Sequence, residues 1–207
     1  MAPPRPGGRT AQVRASVLAA TADLLVAGGL EGVDLTEVAR QSGVSKSTVY
    51  RRWGTVSALV TDLLADMAET SSPRPATGSL SGDLLSIAQL IQRTLADGRQ
   101  GRLFAAIIAA ATCNRDTSDA LARFYRTRTD EFAPVITEGI ARGEAPERTD
   151  ATDVIRYLSA PLYYRILTGN GAPDDDDAHR ATQATLAALA AGVFIRPIRR
   201  RDDSAVQ

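Results

Sequence analysis

Apolar residues recur at spacings of three and four along most of this chain, and this pattern constrains the fold more than any other feature. Near the start, Val13, Val17, Ala20 and Leu24 lie four, three and four residues apart, which places them on one face of an α-helix. Runs of alternating Val, Ile and Thr, which are typical of strands, are absent. The sequence therefore predicts an all-α protein of about nine helices.

Glycines and polar capping residues mark the ends of the first helices. Gly28-Gly29 closes the first helix and Gly43 closes the second, because glycine adopts the left-handed conformation of a C-terminal cap without strain. Asp34 and Glu37 form a D-x-x-E pair, which is typical of the start of a helix. Ser45 is a predicted N-cap and opens a short third helix.

The remaining helices are predicted from the same apolar spacing. Thr55 opens the fourth, and Pro134 and Pro161 predict kinks inside two later ones. The segment SSPRPATGS, residues 71–79, has the composition of a linker. The predicted ranges of these helices are 55–69, 80–97, 101–113, 116–142, 150–168 and 175–193.

Two short helices joined by a tight turn at Gly43 have the outline of a helix-turn-helix. On the second of them, Val49 and Trp53 lie four residues apart and are expected to face the core. The opposite face and its flanks then carry hydroxyls, a phenol and a guanidinium, the groups that contact phosphates and base edges in DNA. These side chains are Ser47, Thr48, Tyr50 and Arg51.

Lys46 is the only lysine in the chain, which otherwise uses arginine for positive charge. It stands at the predicted start of the third helix, where the helix dipole disfavours a cation. A phosphate nearby would make this position favourable, because the helix start and the ammonium both attract an anion.

The charge is unevenly distributed although the net charge is zero. Residues 1–55 carry seven basic and four acidic side chains, whereas residues 56–207 carry seventeen basic and twenty acidic ones. A basic front indicates an anionic partner for that part only. A chance difference of six charges is the alternative interpretation.

The combined pattern resembles the DNA-binding domain of the tetracycline-repressor (TetR, AcrR-like) family of bacterial regulators. The resemblance covers residues 10–60, and the matching stretch is LAATADLLVAGGLEGVDLTEVARQSGVSKSTVYRRWGTVSALV. The family motif G-V-S-x-x-T-[LV]-Y-x-x-[FW] runs here from Gly43 to Trp53. One departure is Val56, where the family often has a lysine that touches phosphate.

The resemblance implies a set of DNA contacts, with Lys46 and Arg51 for anchoring and base reading and Tyr50 and Thr48 on phosphate. Arg52 is a possible substitute for the missing lysine. The alternatives are a solvated helix surface for the whole set and, for Thr48, stabilisation of its own helix. The candidate DNA-binding residues are Thr36, Ser45, Lys46, Ser47, Thr48, Tyr50, Arg51, Arg52 and Thr55.

The resemblance also implies the domain order. Residues 1–9, rich in Pro, Gly and Arg, are expected to form a disordered arm, with minor-groove contacts by Arg5 and Arg9 as the alternative. Residues 10–55 form the predicted three-helix DNA-binding domain. Residues 56–195 form a larger helical domain for ligand binding and dimerisation, and 196–207 a flexible tail.

The last two helices are the predicted dimer interface. The stretch YLSAPLYYRILTG, residues 157–169, resembles a recurring C-terminal pattern of the family, in which the two helices pair with their twins. Packing inside one protomer is the alternative. The candidate interface residues are Leu158, Pro161, Leu162, Arg165, Ile166, Ala181, Ala184, Ala188 and Leu189.

A pocket for a small-molecule effector is expected in the same domain. Apolar and aromatic side chains with a few polar anchors would line it. Each of them is otherwise an ordinary core or surface residue. The candidates are Met67, Phe104, Ile108, Asn114, Phe124, Tyr125, Arg128 and Tyr164.

Other classes of protein fit less well. One histidine, His179, and one cysteine, Cys113, leave little for an enzyme, and Cys113 is expected to be inert core. The acidic run 174–177 beside His179 is better explained by the helix dipole than by a metal, and no cofactor is expected. The lack of a disulfide, signal peptide or membrane span predicts a cytoplasmic protein.

The sequence therefore predicts a bacterial, ligand-responsive transcriptional regulator. It is expected to bind double-stranded DNA at a palindromic operator as a homodimer, through the third helix in the major groove. We expect a repressor that a small-molecule inducer releases, and that associates with the nucleoid when bound. The alternatives are an activator of the same fold and a helical adaptor without specific DNA binding.

Overall fold

A computed structural model of the chain describes residues 8–69 and 74–196. Within these ranges it contains nine α-helices, a 3-10 helix at Leu30–Gly32 and no strand, since Thr149 and Ile195 form only an isolated bridge. The predicted all-α fold is confirmed. The α-helices are α1 (Gly8–Gly28), α2 (Leu35–Ser42), α3 (Lys46–Arg52), α4 (Val56–Glu69), α5 (Leu80–Ala96), α6 (Gln100–Cys113), α7 (Arg115–Ala141), α8 (Ala151–Leu167) and α9 (Asp175–Ala190).

The predicted ends of the first helices are confirmed. Gly29 after α1 and Gly43 after α2 have φ angles of 63° and 68°. The Asp34 carboxylate accepts hydrogen bonds from the backbone N–H groups of Thr36 and Glu37, at 2.8 and 3.1 Å. The Glu37 carboxylate accepts from the side chains of Arg40 and Gln41.

The chain forms two compact units. The first contains the described residues up to 69 together with 93–128 and 164–173. In it α1 packs against α2, α4 and α6, and α2 packs against α3. Its most enclosed side chains include Val17, Leu25, Val38, Val49 and Leu59, all fully buried.

The second unit contains residues 74–92, 129–163 and the described residues from 174 onward. The segment after α9 returns to the start of α8. Arg196 Nε donates to Asp150 Oδ2 at 2.5 Å, and the Asp150 N–H donates to the Phe194 carbonyl at 2.8 Å. The Tyr157 and Phe194 rings meet edge to face, with centroids 5.4 Å apart.

Four of the predicted dimer-interface residues lie inside this unit. Their exposed fraction is 3% or less, so their side chains pack within this unit, which favours the alternative of packing inside one protomer. They are Leu158, Leu162, Ala181 and Leu189. Pro161 and Ala184 are exposed, and Ala188 is partly exposed.

Three further expectations have different outcomes. Cys113 is exposed at the end of α6, so its predicted core position is wrong. α7 and α8 each continue through their proline, Pro134 and Pro161. Residues 1–7 of the predicted arm, Arg5 among them, lie outside the described residues, whereas Gly8 and Arg9 belong to α1. Residues 71–73 of the linker and 197–207 of the tail also lie outside them. None of the described helices is long and apolar enough to cross a bilayer.

Candidate nucleic-acid interface

The third helix, α3, is held by contacts at both ends and along one face. Ser45 Oγ accepts from the Thr48 N–H at 3.3 Å and caps its start. Val49 is fully buried, and Trp53, the C-cap residue, is 8% exposed. The predicted inward face is therefore confirmed, and the opposite face is turned outward.

The outward face of α3 carries Lys46, Ser47 and Arg51, all exposed, and Tyr50, which is 48% exposed. The Tyr50 hydroxyl lies 3.4 Å from Thr36 Oγ1. Thr36 stands in the first turn of α2, so the two helices bring a phenol and a hydroxyl to one place. This surface offers donors of the kind that contact phosphate oxygens and base edges.

Three hydroxyls form a cluster at the start of α3. Ser45 Oγ lies 3.2 Å from Ser47 Oγ and 2.8 Å from Thr48 Oγ1. Thr48 is only partly exposed, and its hydroxyl already has a partner in the cap. The structure thus supports the alternative for Thr48, a role in stabilising its own helix.

Arg52 turns toward α1, away from its neighbour Arg51. Its guanidinium lies 4.9 Å from the centre of the Trp53 ring, and Nη1 donates to the Thr10 carbonyl at 3.4 Å. Thr55 is exposed, and its hydroxyl accepts from the Ala58 N–H at 3.1 Å, which caps α4. Val56 follows it and is partly buried.

A partly buried ion cluster behind α3 was not predicted from the sequence. The Asp62 carboxylate of α4 accepts from Trp53 Nε1 at 2.8 Å and from Arg14 Nε and Nη2 at 3.0 and 2.9 Å. Burial raises the pKa of this carboxyl, but the hydrogen bonds from Arg14 and Trp53 outweigh that effect and hold the pKa below its ordinary value. Arg14 also pairs with Asp66.

Five of the eight predicted pocket residues come together in the first unit. The Phe104 and Phe124 ring centroids are 5.7 Å apart, and Phe124 meets Tyr125 at 5.4 Å. The Arg128 guanidinium lies 5.5 Å from the centre of the Phe124 ring and donates to the Met67 carbonyl at 2.6 Å. These contacts place a cation and three aromatic rings beside the last turn of α4.

The other three predicted pocket residues do not join that cluster in the contacts described. Asn114 caps α7 by accepting from the Thr117 N–H at 2.9 Å. Tyr164 is 63% exposed, and Ile108 is partly exposed on α6.

An open groove of about 500 Å³ lies elsewhere in the first unit, between α4 and the start of α7. Nothing in the sequence pattern predicted it, because its walls come from two helices that are distant in the sequence. It is lined by Thr55, Ser57, Ala58, Thr61, Asp62, Ala65, Asp116, Asp119 and Arg123.

The acidic run at 174–177 forms a helix start. Asp174 accepts from the Asp177 N–H at 2.9 Å, and the Asp177 carboxylate accepts from the Asp174 N–H at 3.0 Å, so the two make a capping box. Across residues 8–69 and 74–196, no group of three or more His, Cys, Asp or Glu side chains is placed to hold a metal ion.

Comparison with models of protein families shows to which family the chain belongs. The family model described as "Tetracyclin repressor-like, C-terminal domain" matches residues 74–185, more than half of the chain, and the model described as "Bacterial regulatory proteins, tetR family" matches residues 17–63. The chain belongs to the TetR family. It is a DNA-binding transcriptional regulator and not an enzyme.

Individual relatives agree with this membership. The chain is 29% identical over 161 residues to the uncharacterised HTH-type regulator YdeS of Bacillus subtilis, covering 77% of this chain and 81% of that one. It is 27% identical to the DNA-binding transcriptional repressor TetR of Mycobacteroides abscessus, covering 78% and 85%. The solved structure of GusR from Salmonella enterica has the same fold, with a TM-score of 0.71 at 19% identity over 86% of this chain and 95% of that one.

Proposed function

We propose that this TetR-family member is a repressor that binds a palindromic operator as a homodimer and leaves it when a small molecule binds. The observation that carries the DNA-reading part is the outward face of α3. Val49 and Trp53 fix the inner face, so Lys46, Tyr50 and Arg51 must point away from the core. An exposed helix with this set of donors fits the major groove.

The roles of the single residues follow from their chemistry and position. Arg51, exposed in the last turn of α3, would read a guanine edge, because a guanidinium can donate two hydrogen bonds to one base. Lys46, in the first turn, would bind a backbone phosphate. Tyr50 and Thr36, whose hydroxyls are neighbours, would share a second phosphate.

The remaining candidates have smaller roles in this proposal. Ser47 and Thr55 are exposed and can donate to phosphate, whereas Ser45 and Thr48 cap the helix. Arg52 would reach DNA only by leaving Trp53 and Thr10. In its observed position Arg52 therefore does not replace the lysine whose place Val56 takes.

Three other parts of the proposal are repression, dimerisation and release from the operator by an effector. They are supported by a relative's name and by general physical arguments. The curated relative from Mycobacteroides abscessus is named a repressor. A dimer would read two half-sites, which doubles the contacts of one short helix. The cluster of Phe104, Phe124, Tyr125 and Arg128 would supply aromatic rings and a cation to an aromatic or anionic effector that enters between them, since Phe104 and Phe124 are buried.

The test is selection of bound duplexes from a random DNA library by the purified protein at two salt concentrations. We expect a palindrome of two half-sites. On that operator, Arg51→Ala should cost about 1–3 kcal/mol and relax the sequence preference, and Lys46→Ala should lower the salt slope by about one. Arg102→Ala, an exposed arginine on α6, is the control and should bind as the wild type does.

No enriched sequence, with binding that disappears as salt rises, would contradict specific recognition. The sign of regulation needs a reporter gene placed behind the selected operator. Lower expression in the presence of the protein is expected, and higher expression would identify an activator.

A further inference from the structure

We propose that Asp62 and Trp53 are positioning residues for DNA binding. Their hydrogen bond sets the orientation of α3 on α1 and α4, and so the direction in which the Arg51 side chain points. The inference rests on the proposed reading role of α3, and its test begins with an operator that the wild-type protein binds.

The two oxygens of the Asp62 carboxylate serve two different helices. Oδ2 accepts from the indole N–H of Trp53, at the end of α3, at 2.8 Å. Oδ1 accepts from Arg14 of α1 through Nε and Nη2, at 3.0 and 2.9 Å. Since Asp62 itself stands on α4, one side chain joins three helices of the first unit.

Few buried side chains within α3 itself anchor the helix. α3 has only seven residues, and Val49 is the one buried residue within it. A helix this short has no stable orientation of its own and depends on its tertiary contacts. Trp53 follows Arg51 by two residues and is the C-cap of α3, so the contacts that hold its ring act next to the last turn of the helix.

The hydrogen bond between Trp53 and Asp62 favours one orientation of α3, because its acceptor is itself held in place. The carboxylate is held on its other side by Arg14, which also pairs with Asp66 at 2.5 Å. Breaking the indole bond would leave the partly buried N–H without its acceptor, which costs free energy. Arg52 stacks on the same indole and bonds to the Thr10 carbonyl, so α1 holds the end of α3 a second time.

A purely structural role for the cluster makes a different prediction from a positioning role. If the cluster only stabilises the fold, its loss lowers the free energy of unfolding but leaves the folded protein's affinity for DNA unchanged. If it positions α3, the folded variants lose affinity for the operator, while salt-dependent binding to unrelated duplex persists, because the backbone contacts tolerate a change of angle.

The experiment uses three substitutions in the full chain. Trp53→Phe keeps an aromatic ring but removes the indole N–H together with part of the ring volume. Asp62→Asn keeps an acceptor for the indole but faces Arg14 without a charge. Asp66→Asn is the matched control, because Asp66 pairs with Arg14 as Asp62 does and is 42% exposed. Circular dichroism selects a temperature at which every variant tested is folded.

We expect Trp53→Phe to weaken operator binding about tenfold and Asp62→Asn to weaken it by a similar factor. The variant that carries both substitutions should bind no more weakly than the weaker of the two single variants, because both perturb the same hydrogen bond. Binding to unrelated duplex should change less than about twofold, and so should operator binding by Asp66→Asn. Equal losses on operator and unrelated duplex, or wild-type operator binding by folded Trp53→Phe, would overturn the proposal. An equal loss in Asp66→Asn would also overturn it, since the effect would then come from Arg14 alone.

Should Asp62→Asn fail to fold, Trp53→Phe decides alone, because it leaves the ion pair intact. A wild-type protein that selects no operator would instead count against the proposed function.

Discussion

Gly43, in the turn between α2 and α3, has a φ of 68°, a conformation that side chains with a Cβ adopt only with strain. No atom lies within 4 Å of a Cβ built there, so strain of the backbone is the only penalty. We expect Gly43→Ala to lower the free energy of unfolding by about 1 kcal/mol. Gly28→Ala, at a helical glycine with equally open surroundings, should be neutral or slightly stabilising. Urea denaturation measures both, and identical midpoints would contradict the argument.

The carboxyl of Glu37, in the first turn of α2, has a pKa well below its ordinary value. Hydrogen bonds from Arg40 and then Gln41 lower its pKa from an ordinary 4.5 to about 2. A lowered pKa in the folded state stabilises the fold above pH 4.5, and this contribution is lost as the pH falls from there toward 2. In Arg40→Ala the Glu37 pKa should return toward 4.5, as followed by carboxyl carbon NMR. A wild-type Glu37 that titrates at its ordinary value would rule this out.

Much of the interface could be predicted at this scale because caps and helix faces are local. Ser45 as a cap, Val49 and Trp53 inside, and Arg51 outside all follow from neighbours within four residues. The turn of Arg52 toward Thr10 and the role of Asp62 could not be predicted. Their partners lie 42 and 48 residues away in the chain, and no periodic pattern records such a pairing.

The connection between α5 and α6 depends on one close approach of two backbone segments. Asp97 accepts from the N–H groups of Arg99 and Gln100, and Arg99 pairs with Asp23 of α1. A Cβ at Gly101 would lie 2.3 Å from the Leu95 carbonyl oxygen, which is too near for any side chain.

Gly101→Ala should therefore shift the start of α6 and lower the free energy of unfolding by about 1–3 kcal/mol. Gly98→Ala in the same turn is the control, because the nearest atom to its Cβ is the end of the Arg102 side chain, 3.9 Å away. Thermal unfolding of both variants gives the comparison. If Gly101→Ala unfolds at the same temperature as the wild type, the close approach of Gly101 to the Leu95 carbonyl does not constrain the fold.

The helices themselves are predicted well from the sequence, and their partners are not. The ranges expected for α5, α8 and α9 begin within one residue of those observed, because apolar spacing and caps determine them locally. The same spacing marks Leu158, Leu162 and Leu189 as apolar stripes without saying what covers them. In the sequence, an apolar stripe that packs within its own chain has the same spacing as one that packs on a second copy.

For the whole molecule, the proposed homodimer makes a prediction on the exposed side of α9. Ala184 is exposed there. A buried, unpaired charge is costly, so Ala184→Glu should give monomers in sedimentation and weaken operator binding, since one helix-turn-helix reads one half-site. Ala122→Glu, at an exposed alanine of α7, should stay dimeric. A dimeric Ala184→Glu would remove this residue from the interface.

Lys46 is the chain's single lysine, and it is exposed in the first turn of the helix proposed to enter the groove. Amine-directed chemistry consequently finds one side chain to modify, besides the α-amino group. Reductive methylation of that amine, with isotope-labelled formaldehyde and a borohydride as the hydride donor, would give one resonance whose protection by duplex reports occupancy. The scarcity of lysine thus lets one native side chain, at the proposed point of contact, report DNA binding without an engineered label.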